Sequence, residues 1–271
     1  MVNTLFLGKR GLSMLDEAYD MASSLLQTDN LNVHPDYLYI DIPKDKKSIG
    51  VDEIMPVVQK NSLKPVLAEQ SVVIINNMDC LTEAAQNKLL LTLESNTNVV
   101  IIGVAYRDNL LSTVKSRMKV VTYRPYTKNA FVSLYEGVYS PREAELLFYA
   151  TGGCPGGVSA CAEYLDMFSA LYDTVQGKEL HKLLSLLHLV KEKDPLAVSN
   201  DKGLLLSVLH VLTYAFVDKA MRLFSTDVLG TAKLVSVLDR LITDEAICQV
   251  PQYTKDNFFQ TVVYLIEGGA V

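Results

Sequence analysis

Apolar and polar positions follow two rhythms along the first part of the chain. Short apolar runs of strand length lie at Thr4 to Leu7, Tyr37 to Ile40, Ser71 to Ile75, Asn98 to Val104 and Lys119 to Tyr123. Between them, Leu12 to Leu26, Val51 to Lys60, Thr82 to Leu93 and Leu110 to Lys115 carry apolar residues at helical spacing. Such alternation predicts an α/β layer with a mostly parallel sheet, since each parallel pair needs a helical crossover. In the helix from Val51, residues Ile54, Val57 and Val58 make the buried stripe, and Pro56 is expected near the first turn, where a missing N–H costs least. After Tyr123-Arg124-Pro125 the alternation stops. Lys128 to Val138, Pro141 to Ala150 and Val158 to Leu165 read as helices, the last preceded by the breaker Thr151-Gly152-Gly153-Cys154-Pro155-Gly156-Gly157. From about Leu171 the pattern is wholly helical, with segments at Leu180 to Lys191, Lys202 to Ser225, Gly230 to Ala246 and Tyr253 to Gly268. The expected organisation is an α/β module over residues 1–123, a small helical unit over 124–166 and a helical remainder over 167–271.

Composition changes this picture little. With 271 residues, 49% of them hydrophobic and 21% charged, the chain can bury a substantial core without staples. Its net charge of -6 argues against tight polyanion binding by the chain as a whole, so any nucleic-acid contact needs a local patch or partner subunits. No apolar run approaches the roughly 18 residues of a membrane span, and no basic leader precedes the first strand, so a cytoplasmic protein is expected. Cys80, Cys154, Cys161 and Cys248 are scattered and read as buried reduced thiols. His181 and His188 share a helical face without a third ligand, and His34 reads as part of a turn.

Candidate chemistry sits where the first strand ends. Gly8-Lys9-Arg10-Gly11-Leu12-Ser13-Met14-Leu15 links that strand to a helix, the context of a phosphate-binding loop, in the register of G-x-x-x-x-G-K-[ST]. A working loop needs glycine, lysine and a hydroxyl at its last three positions, for backbone approach, for the β- and γ-phosphates and for Mg²⁺. Here those positions are Ser13, Met14 and Leu15. The strand Ser71 to Ile75 likewise runs into Asn76 and Asn77, where a nucleotide hydrolase carries an aspartate for the metal and a glutamate for the attacking water. An amide neither neutralises a cation nor accepts a proton. Loop and turn are expected to meet at the carboxyl ends of the strands. Lys9 and Arg10 read as solvated loop charges, with a relic anion site at the helix N-terminus as the alternative, and Asp79 and Glu83 as groups that cap a helix and complement its dipole.

His34-Pro35-Asp36, Ser48-Ile49-Gly50-Val51-Asp52-Glu53-Ile54, Leu63-Lys64-Pro65, Val72 to Asp79, Leu81 to Glu94 and Ser116-Arg117-Met118 together resemble bacterial clamp-loader subunits, the AAA+ proteins of the DNA polymerase III holoenzyme. The resemblance covers most of residues 1–165 and implies an AAA+ module, a helical lid and an all-α collar. The departures at Ser13, Met14, Leu15, Asn76 and Asn77 place the chain with the delta prime branch, which often does not cleave ATP. The family's zinc-binding cysteines are replaced by Leu26 to Val33, and Gly157 stands where a lid arginine is expected, so neither a metal nor a nucleotide cofactor is assigned. The helix that usually precedes the loop strand is expected to be lacking.

Ser116-Arg117-Met118 resembles the family's S-R-C motif, which implies that Arg117 is an arginine finger offered in trans to ATP on a neighbouring subunit. The alternative for Arg117 is a surface ion pair. The partners implied are the ATP-cleaving and delta-type subunits, the sliding clamp indirectly, and primer-template DNA within the complex. Two other functions stay open: a weakly active AAA+ ATPase, and a free-standing adaptor built on a dead nucleotide fold.

Overall fold

The apolar runs form five parallel strands in a computed structural model that describes residues 2–95, 98–177 and 202–223. They are β1 (Thr4–Leu7), β2 (Tyr37–Ile40), β3 (Ser71–Ile75), β4 (Val99–Ala105) and β5 (Lys119–Thr122), ordered β2-β3-β4-β1-β5. The strongly apolar runs β3 and β4 lie inside the sheet, as does β1. Every residue of β3 and β4 is buried, with Val72 opposite Val100 and Ile74 opposite Ile102. Each such Val or Ile removed from water contributes roughly 1.5–3 kcal/mol, which is why near-continuous apolar strands sit inside and the partly polar β2 and β5 take the edges.

Four helices connect the strands: α1 (Met14–Leu26), α2 (Val51–Ser62), α3 (Glu83–Ser95) and the short α4 (Ser112–Lys115). In α2, Ile54 and Val57 are buried as expected, but Pro56 lies in the second turn, not the first, because the helix begins at Val51. Gly50 N–H donates to Glu53 at 2.8 Å, which closes the helix start.

The chain divides after Pro125. The helical unit contains α5 (Lys128–Leu134), α6 (Pro141–Thr151), α7 (Val158–Ala162), α8 (Leu165–Gln176) and α9 (Lys202–Leu223). Phe131, Leu147, Phe168, Leu171, Leu212 and Phe216 meet in its core. Ser140 and Glu143 form a reciprocal capping box at the start of α6, with Ser140 N–H donating to Glu143 at 2.8 Å. Two helix limits differ from expectation. The first helix ends at Leu134, four residues early, as the chain turns through Gly137 at φ +82°. The helix from Val158 stops at Ala162, and a new one starts at Leu165, so regular helix begins before Leu171 and spans residue 166. The segments expected at Leu180 to Lys191, Gly230 to Ala246 and Tyr253 to Gly268, with His181, His188 and Cys248, lie outside the described residues.

Candidate functional site

Parallel strands deliver their following loops to one edge of the sheet, and here the loop after β1 is drawn tight. Gly8 N–H donates to Ala105 O at 3.1 Å. A Cβ at Gly8 would lie 2.9 Å from Tyr123 Cβ and 3.0 Å from Met14 Sδ, so only glycine lets the loop close onto the ends of β5 and α1. Gly11 turns the chain at φ +82°. Ser13 precedes α1 and makes no capping bond, Met14 is fully buried, and Leu15 is half-buried. The position that would send a lysine toward phosphate therefore faces the core.

Around this loop the polar side chains at the strand ends bond to one another. Asp41, just after β2, accepts four hydrogen bonds: from Tyr39 OH at 2.9 Å, Asn76 Nδ2 at 2.9 Å, Asn77 Nδ2 at 2.6 Å and Ile42 N–H at 2.7 Å. A carboxylate has about four acceptor positions, so Asp41 is saturated and has none left for a metal or a water. Burial pushes the Asp41 carboxyl up, but its donors outweigh burial and hold it below its ordinary value.

The network also explains the two amides after β3. Asn76 donates to both Asp41 and, at 3.1 Å, Tyr39 Oη, and accepts from Tyr106 OH at 3.2 Å. Asn77 donates to Asp41 and accepts from Arg10 Nη2. A carboxylate at either position would face Asp41 with nothing to donate. Asn77 has φ +53°, a left-handed conformation that asparagine tolerates better than most residues. Arg10 is thus no free loop charge: its guanidinium joins the loop to the amide turn and lies 4.1 Å from the centre of the Tyr106 ring. The expected meeting of loop and turn takes the form of this contact.

Sequence reasoning missed Asp41, Tyr39 and Tyr106. All lie at the carboxyl ends of β2 or β4, and that placement is the signal that could have found them. The capping role expected of Asp79 gives way to another. Its buried carboxylate accepts from Tyr106 N–H and Arg107 Nε, each at 3.0 Å, and so ties the turn after β3 to the end of β4. Glu83 does stand in the first turn of α3. Asp36, buried at the start of β2, accepts from the N–H groups of Val66, Leu67 and Ala68 at 2.7–2.9 Å. Burial raises the Asp36 carboxyl, and these donors more than reverse it. Among the described residues, no group of three or more His, Cys, Asp or Glu could hold a metal ion, and no helix is long and apolar enough to cross a membrane.

Arg117 lies at the opposite edge. It precedes β5, whose first residue Lys119 pairs with Thr4, whereas Gly8 follows the far end of β1. At about 3.3 Å of rise per residue, Arg117 and the Gly8 loop are separated by roughly 15–20 Å. Its Nη1 donates to Thr113 O at 2.8 Å and its Nη2 to Glu94 Oε1 at 2.6 Å.

Residues 4–127 match the family model for the DNA polymerase III delta subunit. Over 89 residues the chain is 35% identical to DNA polymerase III subunit delta' of Escherichia coli (strain K12). That segment is 32% of this chain and spans only 27% of the relative. The fold resembles that of a DNA polymerase III gamma subunit-related protein of Thermotoga maritima, with TM-score 0.54 and 16% identity over 99% of this chain and 95% of that one. At that identity the likeness speaks for the fold alone.

Proposed function

From the match of residues 4–127 to the DNA polymerase III delta subunit model, we propose that the chain is a delta prime-type clamp-loader subunit that does not cleave ATP. In this reading it holds the geometry of a ring while neighbouring subunits use ATP to set a sliding clamp on primed DNA. The observation that carries the reading is the saturated Asp41, bonded to the two amides that stand where metal and water chemistry would need carboxylates. At the position of the motif lysine, moreover, stands the buried Met14, which offers no ammonium to a phosphate.

Arg117 is then the group this subunit contributes to catalysis. Its separation from its own loop excludes action there, and a half-exposed guanidinium beside α4 suits ATP bound on a neighbour. The partners are ATP-cleaving and delta-type subunits, the sliding clamp indirectly, and primer-template DNA as part of the cytoplasmic complex. The helical unit serves as a lid to about residue 166 and beyond it as a collar joining homologous subunits.

The test is ATP turnover by a reconstituted clamp loader with clamp and primed DNA, comparing wild type with Arg117→Ala. The expected result is an intact assembly with a large loss of stimulated turnover, alongside an isolated chain that neither binds nor cleaves Mg·ATP. Equal turnover would remove the trans role, and Mg·ATP cleavage by the isolated chain would restore the ATPase alternative.

A further inference from the structure

Both ends of the Arg117 guanidinium are occupied, by groups of different kinds. The Nη1 end is bonded to the backbone, through Thr113 O in α4, with Ser116 Oγ at 3.5 Å. The Nη2 end meets a single carboxylate, Glu94 in the last turn of α3, at 2.6 Å. A carboxylate and a phosphoryl group bind the same donor edge of a guanidinium, so one must leave for the other to bind. Resting on the trans reading above, we infer that Glu94 holds Arg117 in reserve, as a built-in anion that the phosphoryl group on the neighbouring subunit displaces.

The geometry fixes the direction of the effect. Orientation comes from Thr113 O, which stays when Glu94 is changed, because it is a main-chain atom of α4, the helix just before the finger. Glu94 therefore supplies competing charge and not alignment. The competition is mild: the side chains are 34% and 50% exposed, and exposed ion pairs are weak. Glu94 also sits at the negative end of the α3 dipole, where a carboxylate depends on a nearby cation and gives way once that cation is drawn elsewhere. The device raises the threshold for hydrolysis until a neighbour presents its phosphates in register.

The experiment uses the reconstituted clamp loader with Glu94→Gln, Arg117→Ala and the double variant, and measures kcat and KM for ATP without and with clamp and primed DNA. The expected result is a rise in unstimulated kcat of up to about fivefold for Glu94→Gln, with KM unchanged and the rise absent in the double variant. Thermal unfolding of each variant checks that the subunit remains folded. An unchanged kcat for Glu94→Gln would mean an idle surface pair, and a fall would mean that Glu94 aligns the finger. Either overturns the inference while leaving the trans reading in place, provided that Arg117→Ala lowers turnover. No loss in Arg117→Ala removes both.

Discussion

The two edges of the sheet treat their polar groups in opposite ways. At the carboxyl edge, Arg10, Tyr39, Asp41, Asn76, Asn77 and Tyr106 spend their hydrogen bonds on one another, with charges of both signs inside the set. At the amino edge, Arg117 is held by one main-chain carbonyl and by Glu94, an exposed carboxylate that another anion can replace. Satisfied networks rigidify a structure, whereas loosely paired charges on a rigid base are suited to recognition. The same sheet therefore carries an internally satisfied polar network at one end of its strands and a loosely paired guanidinium at the other.

The largest expected effect tests this contrast directly. Arg117→Ala should lower the turnover of the assembled loader about 10³-fold or more while changing the subunit's own stability by less than about 1 kcal/mol. Turnover assays paired with urea unfolding check both halves, and a stability loss matching the activity loss would make the two edges alike. Next, restoring the lysine of the loop motif with Met14→Lys should fail. An ammonium forced into that fully buried position is expected to cost about 2–4 kcal/mol in urea unfolding, with no gain in Mg·ATP affinity by calorimetry. Binding gained without loss of stability would show that the carboxyl edge is closed by sequence alone and not by packing.

The smallest effect sharpens the picture through pH. The Asp41 and Asp36 carboxyls are held below their ordinary value of 3.8 in the folded chain. Their contribution to stability is therefore fully present above about pH 4 and lost as pH falls through their folded values. Unfolding free energy should decline on that acid limb. Asp41→Asn should flatten the decline by less than one proton per unfolding event, as measured by urea titrations between pH 2.5 and 5.

Much of the fold was legible because the central strands have little alternative. Val72 to Ile75 and Val99 to Ile102 are too apolar and β-branched for anything but a buried sheet, and the spacing of helices between them calls for parallel pairing. Strand order was not legible from periodicity, which says which face is buried but not which neighbour lies beside it. The departures from the nucleotide-hydrolase motifs at Ser13, Met14, Leu15, Asn76 and Asn77 could be read residue by residue. The hydrogen-bond network among these positions could not, since Arg10 and Asn77 are 67 residues apart and Asp41 and Asn77 are 36 apart. Pro56 and the early end of the helix at Leu134 show the usual weakness at boundaries, where one turn residue such as Gly137 decides against a continuing apolar pattern.

The clasp of Asp36 on the residues before β3 bears on the order in which the sheet locks. Its carboxylate lies immediately before β2 and its three donors shortly before β3, so the bonds exist only when those two strands are aligned. Val66 and Leu67 present their side chains to water, yet their amide protons should exchange with deuterium as slowly as the pairing at that edge allows. Those protons form a clock for opening of the outer strand, readable in a segment that looks from outside like an ordinary surface loop.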